Sequence, residues 1–294
     1  FSVNQETNFR DLDIAAVGPV VRETSRVFDR YWASDSAVPV AALIDEVYDN
    51  AWLANKAEEL RKDIATGNYP YALDKDVDEL WSKIDTLQHS FIWAPGTIVW
   101  DDPDVIDGDP EVGTPVIERL RRKLDTVDQS LFIESAYFVV GDGGVEQIRD
   151  MTARGVHVRV LTNSLVSNDV LAAHAGHASY RRDLIEAGAE MYELRADSEV
   201  IKKTWVGESR AGLHTKALVF DEESLFVGSF NLDPRSANIN TEAGLYVESP
   251  ELAARLLDYM DEGVELRFDA DPLSTFWERL QSGVIGLLPI ESQL

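Results

Sequence analysis

The sequence predicts an α/β protein, a sandwich with a mixed, mostly parallel sheet flanked by helices. Three observations carry this. From about Phe91 onward, strand-like and helix-like patterns alternate. Two short apolar runs, Leu213 to Phe220 and Leu225 to Phe230, are separated only by Asp221-Glu222-Glu223-Ser224. A chain of 294 residues with 45% hydrophobic content suffices for one large or two moderate cores.

The elements follow in chain order from period and punctuation. Asp13 to Val17 reads as a strand, and Val21, Phe28 and Trp32 mark a helix after Gly18-Pro19. Pro39 to Ile64 reads as an amphipathic helix with Leu43, Val47, Leu60 and Ile64 on its apolar stripe, stopped by Gly67-Asn68-Tyr69-Pro70. Thr97–Trp100, Leu131–Val140, Val156–Leu161 and Met191–Leu194 are strand candidates. Thr114–Thr126, Gly144–Arg154 and Asp169–Ala187 carry the helical period. Phe91, Ile92, Trp93, Ile98, Val99 and Trp100 form the densest aromatic patch, for which core packing is the default and contact with lipid acyl chains the alternative.

Composition narrows the function. With no cysteine there is no disulfide, thiolate metal site or cysteine nucleophile. No apolar run approaches the ~18 residues of a spanning helix, so any membrane contact is expected to be peripheral. A formal charge of −26 repels nucleic acid at long range, screened beyond ~8 Å at physiological salt, and argues against a nucleic-acid partner. Lys216, Arg235 and Arg159 are the candidates for local positive charge. His174 and His177 stand three apart on one helix with Arg181. No carboxylate or third imidazole at helical spacing completes a metal site there, so lining a pocket is more plausible than holding a metal, with surface or packing positions as the other reading.

The chemistry concentrates in Leu213 to Asn231, where His214, Lys216, Asp221, Gly228, Ser229 and Asn231 stand at H-x-K-x4-D-x6-G-S-x-N spacing. Period two places His214 and Lys216 on one face of a strand. A lysine, a serine hydroxyl and an asparagine amide can hold the non-bridging oxygens of a phosphodiester. An imidazole can attack phosphorus or protonate a leaving alkoxide. Neither a metal nor another cofactor is needed.

These six positions resemble the HKD signature of the phospholipase D superfamily. The continuation Asn231-Leu232-Asp233-Pro234-Arg235-Ser236 and Asn240-Thr241-Glu242 is similar to its bacterial cardiolipin synthase branch, as are Asn8-Phe9-Arg10-Asp11-Leu12-Asp13 and Tyr137-Phe138-Val139. Ala136 and Val140 stand where that family leads one to expect proline, and His177 where it leads one to expect tyrosine. Within the chain, Asp11 precedes Gly18-Pro19 by the same intervals as Glu242 precedes Ser249-Pro250, which reads as one repeat seen twice.

The resemblance implies two halves, each with an HKD segment followed by a carboxylate that orients a histidine. It assigns Glu242 to His214, and leaves Asp11 or Asp13 for a first-half histidine expected just before Phe1. Residues 1–88 are accordingly expected to be the remnant of a first half with a helical linker, and 89–294 the second, HKD-bearing domain. The implied activity is transfer of a phosphatidyl group between phosphatidylglycerol-like lipids through a phosphohistidine. His214 is acid and base, Lys216, Ser229 and Asn231 hold phosphoryl oxygens, and Asp221 has a supporting structural role. A homodimer, or association with a first HKD half, would complete the site. Two alternatives stand beside transfer: a hydrolytic phosphodiesterase or nuclease, and a non-catalytic lipid-binding module.

Overall fold

The computed structural model describes residues 7–43, 48–66, 82, 90–104, 115–195 and 210–264. Val47 and the Gly67 to Pro70 stop lie outside them. Seven strands form one sheet, in the order β2(Gly96–Trp100), β9(Ala243–Glu248), β8(Ser224–Gly228), β7(Lys216–Phe220), β3(Ser130–Ser135), β4(His157–Asn163), β5(Glu190–Leu194). β1(Thr7–Arg10) and β6(Arg210–Leu213) form a separate parallel pair.

The sheet is mixed, as expected, but most of its pairs are antiparallel. β3 runs parallel to β4 and β4 to β5. β7 is antiparallel to β3, β8 to β7, β9 to β8 and β2 to β9. The reason is local: helical crossovers after β3 and β4 enforce parallel neighbours, whereas β7 and β8 are joined by a tight hairpin. In that hairpin Asp221 and Glu222 take φ of 53° and 58°, the sense that matches strand twist.

One face of the sheet is covered by α3(Pro115–Asp125), α4(Gly141–Ala153) and α5(Leu171–Glu186). Val116, Leu120, Ile148, Met151 and Leu184 pack there on Leu131, Ile133, Val160, Leu218, Phe220 and Phe226. The other face carries Phe132, Ala217, Val219, Leu225, Val227 and Val247 against Ala253, Leu256 and Met260 of α7(Pro250–Val264), with Leu12 and Ile14 alongside. All residues of β3 and β7 are buried, which is why Leu131–Ile133 and Ala217–Phe220 are uninterrupted apolar runs.

Several boundaries differ from the sequence reading. Residues 11–17 carry no strand ladder; the strand of this region is β1, which has β6 as its partner. α1(Pro19–Trp32) starts where Gly18, at φ 88°, turns the chain into Pro19, but Val27 is its buried residue while Phe28 and Trp32 face outward. The expected helix from Pro39 is a 3-10 turn at Val40–Ala42, then α2(Asn50–Thr66). The Asp49 carboxylate accepts the Trp52 N–H at 2.7 Å and so fixes the true start. In the aromatic patch only Val99 is buried, and Trp93 is 78% exposed. α1 is tied to the sheet edge by Tyr31, whose hydroxyl donates to Asp101 O, and by Arg30 paired with Asp102 and Asp104 at 2.8 and 2.7 Å.

Candidate active site

β7 begins and β8 ends at the same edge of the sheet, with β9 starting beside them, because the three strands are consecutive antiparallel neighbours. That topology alone gathers Lys216 at the start of β7, Ser229 and Asn231 between β8 and the short α6(Pro234–Asn238), and Glu242 just before β9. It also sends Asp221 to the opposite end, roughly 20 Å from His214 at ~3.3 Å per residue. There a single oxygen, Asp221 Oδ1, accepts the backbone N–H groups of Asp128, Gln129 and Ser130 at 3.2, 2.9 and 3.1 Å. Asp221 ties the hairpin to the entrance of β3.

His214 does not lie within a strand. β6 ends at Leu213 and β7 begins at Lys216, so His214 and Thr215 occupy the step where the chain leaves one sheet for the other. The His214 N–H goes to Arg10 O at 2.8 Å, and Thr215 O accepts from Ala136 N at 3.1 Å. This break exposes the imidazole: the side chain is 50% accessible while Lys216 is buried.

The carboxylate on His214 is Asp11, not Glu242. His214 Nδ1 lies 2.8 Å from Asp11 Oδ2. β1 and β6 run parallel with Arg10 opposite Leu213, so the next residue of each strand, Asp11 and His214, leaves the ladder side by side. Burial pushes the Asp11 carboxyl up. The His214 and Leu12 hydrogen bonds and the charges of His214 and Lys216 outweigh this and hold it below the ordinary carboxylate range. An ionised carboxylate only accepts, so the proton on Nδ1 belongs to the imidazole and Nε2 is left for chemistry.

Glu242 has different partners. Ser229 Oγ donates to its Oε2 and Asn240 Nδ2 to its Oε1, at 3.1 Å for the latter, while Arg235 Nε holds Asn240 Oδ1 at 3.0 Å. Beneath it Asp101, fully buried, accepts the Glu242 N–H through Oδ2 and the Val116 N–H through Oδ1 at 2.9 and 3.2 Å. Gly228 permits this closeness, since a Cβ there would stand 2.4 Å from Ala243 O. The Asn231 side-chain oxygen is buried with no hydrogen-bond partner among the described residues.

Lys216 is only 8% exposed and its ammonium donates to His214 O. Burial lowers its pKa, against the opposing pull of Asp11, Glu242, Asp169 and Asp233. Of the other basic candidates, Arg235 serves Asn240. Arg159 is remote from the site: it lies opposite Phe132, three residues down β3 from Ser135, and pairs with Asp261 at 2.6 Å.

Both histidines of α5 are buried. His177 spans Phe138 O and Glu193 Oε1, each at 3.2 Å, and so pins the segment after β3 where proline was expected. His174 is buried, and desolvation, with the charge of His177, pushes its pKa down to about 4. Among the described residues no cluster of His, Cys, Asp and Glu could hold a metal ion. Sequence reading missed Asp101, Glu134, Asn163 and Tyr259. Asn163 alone clamps three segments, taking Leu213 N at 2.7 Å and donating to Leu213 O and Ala136 O at 2.8 and 3.0 Å.

A mixed sheet flanked by helices, with His214, Lys216, Ser229, Asn231 and Glu242 gathered at one edge, has the architecture of a phospholipase D-type fold. A family model described as "Cardiolipin synthase, PLD-like domain" matches residues 120–263. Cardiolipin synthase C of Escherichia coli (strain K12) is 32% identical over 323 residues, an alignment covering 99% of this chain and 67% of that protein. An uncharacterized protein of Helicobacter pylori (strain ATCC 700392 / 26695) is 28% identical over 295 residues, covering 97% of this chain and 57% of its own length. Among solved structures, the phosphatidylserine synthase of Haemophilus influenzae Rd KW20 matches with a TM-score of 0.53 at 16% identity, over 84% of this chain and 53% of that one, and shares the fold. The chain therefore belongs to the phospholipase D superfamily, in its cardiolipin synthase-like branch. It spans between 57% and 67% of the length of these two curated relatives.

Proposed function

We propose that this chain carries the second half of the active site of a phosphatidyltransferase that moves a phosphatidyl group between phospholipids, with phosphatidylglycerol-like lipids as donor and acceptor. One observation supports this above the rest. His214 is already clasped by Asp11, whereas Glu242 is held ready by Ser229 and Asn240 without a histidine among the described residues. Asp11 and Glu242 occupy equivalent places in the repeat, each seven residues before the residue that precedes a helix-starting proline. If the carboxylate of one repeat serves the histidine of the other, Glu242 awaits a histidine from a first HKD segment. The pairing thus crosses between halves, the reverse of the assignment implied by resemblance.

In this reading the first-half histidine nitrogen attacks phosphorus. The bond from phosphorus to the headgroup oxygen breaks, and His214, entering as an imidazolium with a proton on each nitrogen, passes its Nε2 proton to that oxygen, releasing an alcohol and leaving the Nδ1–H tautomer on Asp11. The acceptor lipid's hydroxyl then gives its proton back to His214 Nε2 while its oxygen displaces the histidine from phosphorus. Lys216 and Asn231 hold phosphoryl oxygens. Ser229 joins them only by turning away from Glu242. Residues 1–88 fall to the first half and its linker, residues 89–294 to the HKD-bearing domain, and contact with the bilayer is peripheral. No helix among the described residues is long and apolar enough to cross a membrane.

His214→Ala in a full-length protein, assayed on phosphatidylglycerol vesicles, is expected to abolish transfer with the fold intact. Normal transfer by that variant refutes the assignment. A hydrolytic reading draws support from the openness of the site, since a half-exposed imidazole admits water. The ratio of lipid product to phosphatidic acid separates the two.

A further inference from the structure

Asp11 reaches His214 across 203 positions of sequence, and more than its own 2.8 Å contact holds it there. Arg10, the residue before it, is buried. Its Nε donates to Glu134 Oε1 at 3.0 Å, another of its nitrogens to Tyr259 O, and its guanidinium carbon sits 3.7 Å from the centre of the Tyr259 ring. The Tyr259 hydroxyl donates to Asp11 O at 3.1 Å and lies 3.2 Å from Thr215 Oγ1, which in turn donates to Arg10 O at 3.3 Å. Arg10, the carbonyl of Asp11 and Thr215 beside His214 converge on this post.

Glu134 is an odd residue for the middle of a buried strand. It is 0% exposed, and its Oε2 has no hydrogen-bond partner among the described residues. A well-packed apolar pair commonly stabilises a fold as well as a buried ion pair does, so stability alone gives little reason for a charge here. Position does: Glu134 faces Ala217 on β7, next to Lys216, and fixes the end of β1 relative to the start of β7.

We infer that Arg10 and Glu134, locked by Tyr259, are positioning residues that set Asp11 on Nδ1 of His214 and thereby hold the imidazole in the tautomer that leaves Nε2 free for proton transfer. The inference rests on the acid–base role proposed for His214, and it is tested by a readout that does not depend on turnover. The chain is labelled with 15N-histidine, the His214 signals are assigned by loss in His214→Gln, and the tautomer is read from 1H–15N correlation spectra in alkaline buffer, where the rings are neutral.

The Arg10→Met/Glu134→Leu double variant removes both charges together and is expected to keep the fold, by circular dichroism, while His214 moves from a single Nδ1–H tautomer to a mixture. Transfer by the full-length double variant is expected to fall by about ten- to a hundredfold, the scale of a displaced catalytic group. Tyr259→Phe removes only the hydroxyl on Asp11 O and is expected to shift the same signals less. It carries the test alone if the double variant does not fold, and unchanged His214 signals in Tyr259→Phe then overturn the inference. A single Nδ1–H tautomer in a folded double variant overturns it as well. A mixed tautomer with undiminished transfer leaves the positioning role standing and sinks the acid–base role of His214 instead.

Discussion

The aspartate of the HKD segment is expected to act on stability and not on chemistry, and a series at Asp221 separates the two. Asp221→Ala deprives three backbone N–H groups of one shared acceptor. Hydrogen bonds to a charged group contribute about 1.5–3 kcal/mol each, but all three share one oxygen, and the Asp128 and Gln129 amides are exposed enough to regain water. About 2 kcal/mol is left for their loss. Alanine must also adopt φ near 53°, which costs about 1 kcal/mol more. The total for alanine is about 3 kcal/mol. Asparagine keeps an Oδ1 and tolerates the left-handed region, so it costs about 1 kcal/mol. Glycine loses the acceptor but not the backbone conformation and falls near 2 kcal/mol. Urea unfolding should give midpoints in the order wild type, Asn, Gly, Ala at constant slope. Transfer per folded molecule should stay constant, because Asp221 stands at the far end of β7. An inactive Asp221→Asn with an unchanged midpoint would refute this and return Asp221 to the chemistry.

Further outcomes follow from the site and its supports. Asp11→Asn should lower transfer by about 10²–10⁴-fold, since the amide no longer enforces the Nδ1–H form; normal rates at every pH would exclude the dyad. Glu242→Gln should also inactivate without unfolding, whereas a shift in the unfolding midpoint equal to the activity loss would make Glu242 structural. Asp101→Asn should cost about 2–3 kcal/mol, because the N–H groups of Val116 and Glu242 use different carboxylate oxygens and one of them would face an NH2 group. His174 titrates at about 4 in the folded chain against about 6.5 unfolded. The unfolded state therefore binds its proton first as pH falls. The stability tied to this neutral ring is present in full above pH ~6.5 and is lost progressively down to pH ~4, by about 3 kcal/mol. His174→Gln should be less sensitive to acid over that window in urea titrations, and an identical pH dependence would show that the ring titrates normally.

The sequence announced the sheet and its covering helices because burial on both faces leaves continuous apolar runs, as in Ala217–Phe220, and because Gly18-Pro19 and Ser249-Pro250 mark helix starts, the second with Ser249 Oγ accepting the Leu252 N–H. It concealed the break at His214-Thr215. A strand that changes partner from β1 to β3 keeps its period, and only the partners reveal the step. Residues 11–17 illustrate the same dependence, since an apolar run becomes a strand only where a neighbour supplies a ladder. The carboxylate assignment failed for a related reason: Asp11 and Glu242 are equivalent in spacing, and only three-dimensional register decides which one meets His214. Arg10 and Glu134 were invisible, because a charged residue at a strand end reads as surface until its counter-ion is seen beneath it. Mostly parallel pairing was expected because βαβ alternation dominates the middle of the chain, and the hairpin at Asp221 redirects everything after it.

The 203-residue separation of Asp11 and His214 bears on how the protein folds. Closing a loop of that length costs about 5 kcal/mol in chain entropy, slightly more than an average long-range contact in a domain this size. The four-residue ladder of β1 with β6 and the post at Arg10, whose partners lie on β3 and α7, must repay it. The pairing of Asp11 with His214 therefore depends on contacts far apart in sequence, of the kind that local opening breaks first. A population with its sheet intact and its near-native spectrum unchanged can still be enzymatically silent, with its amino-terminal strand undocked.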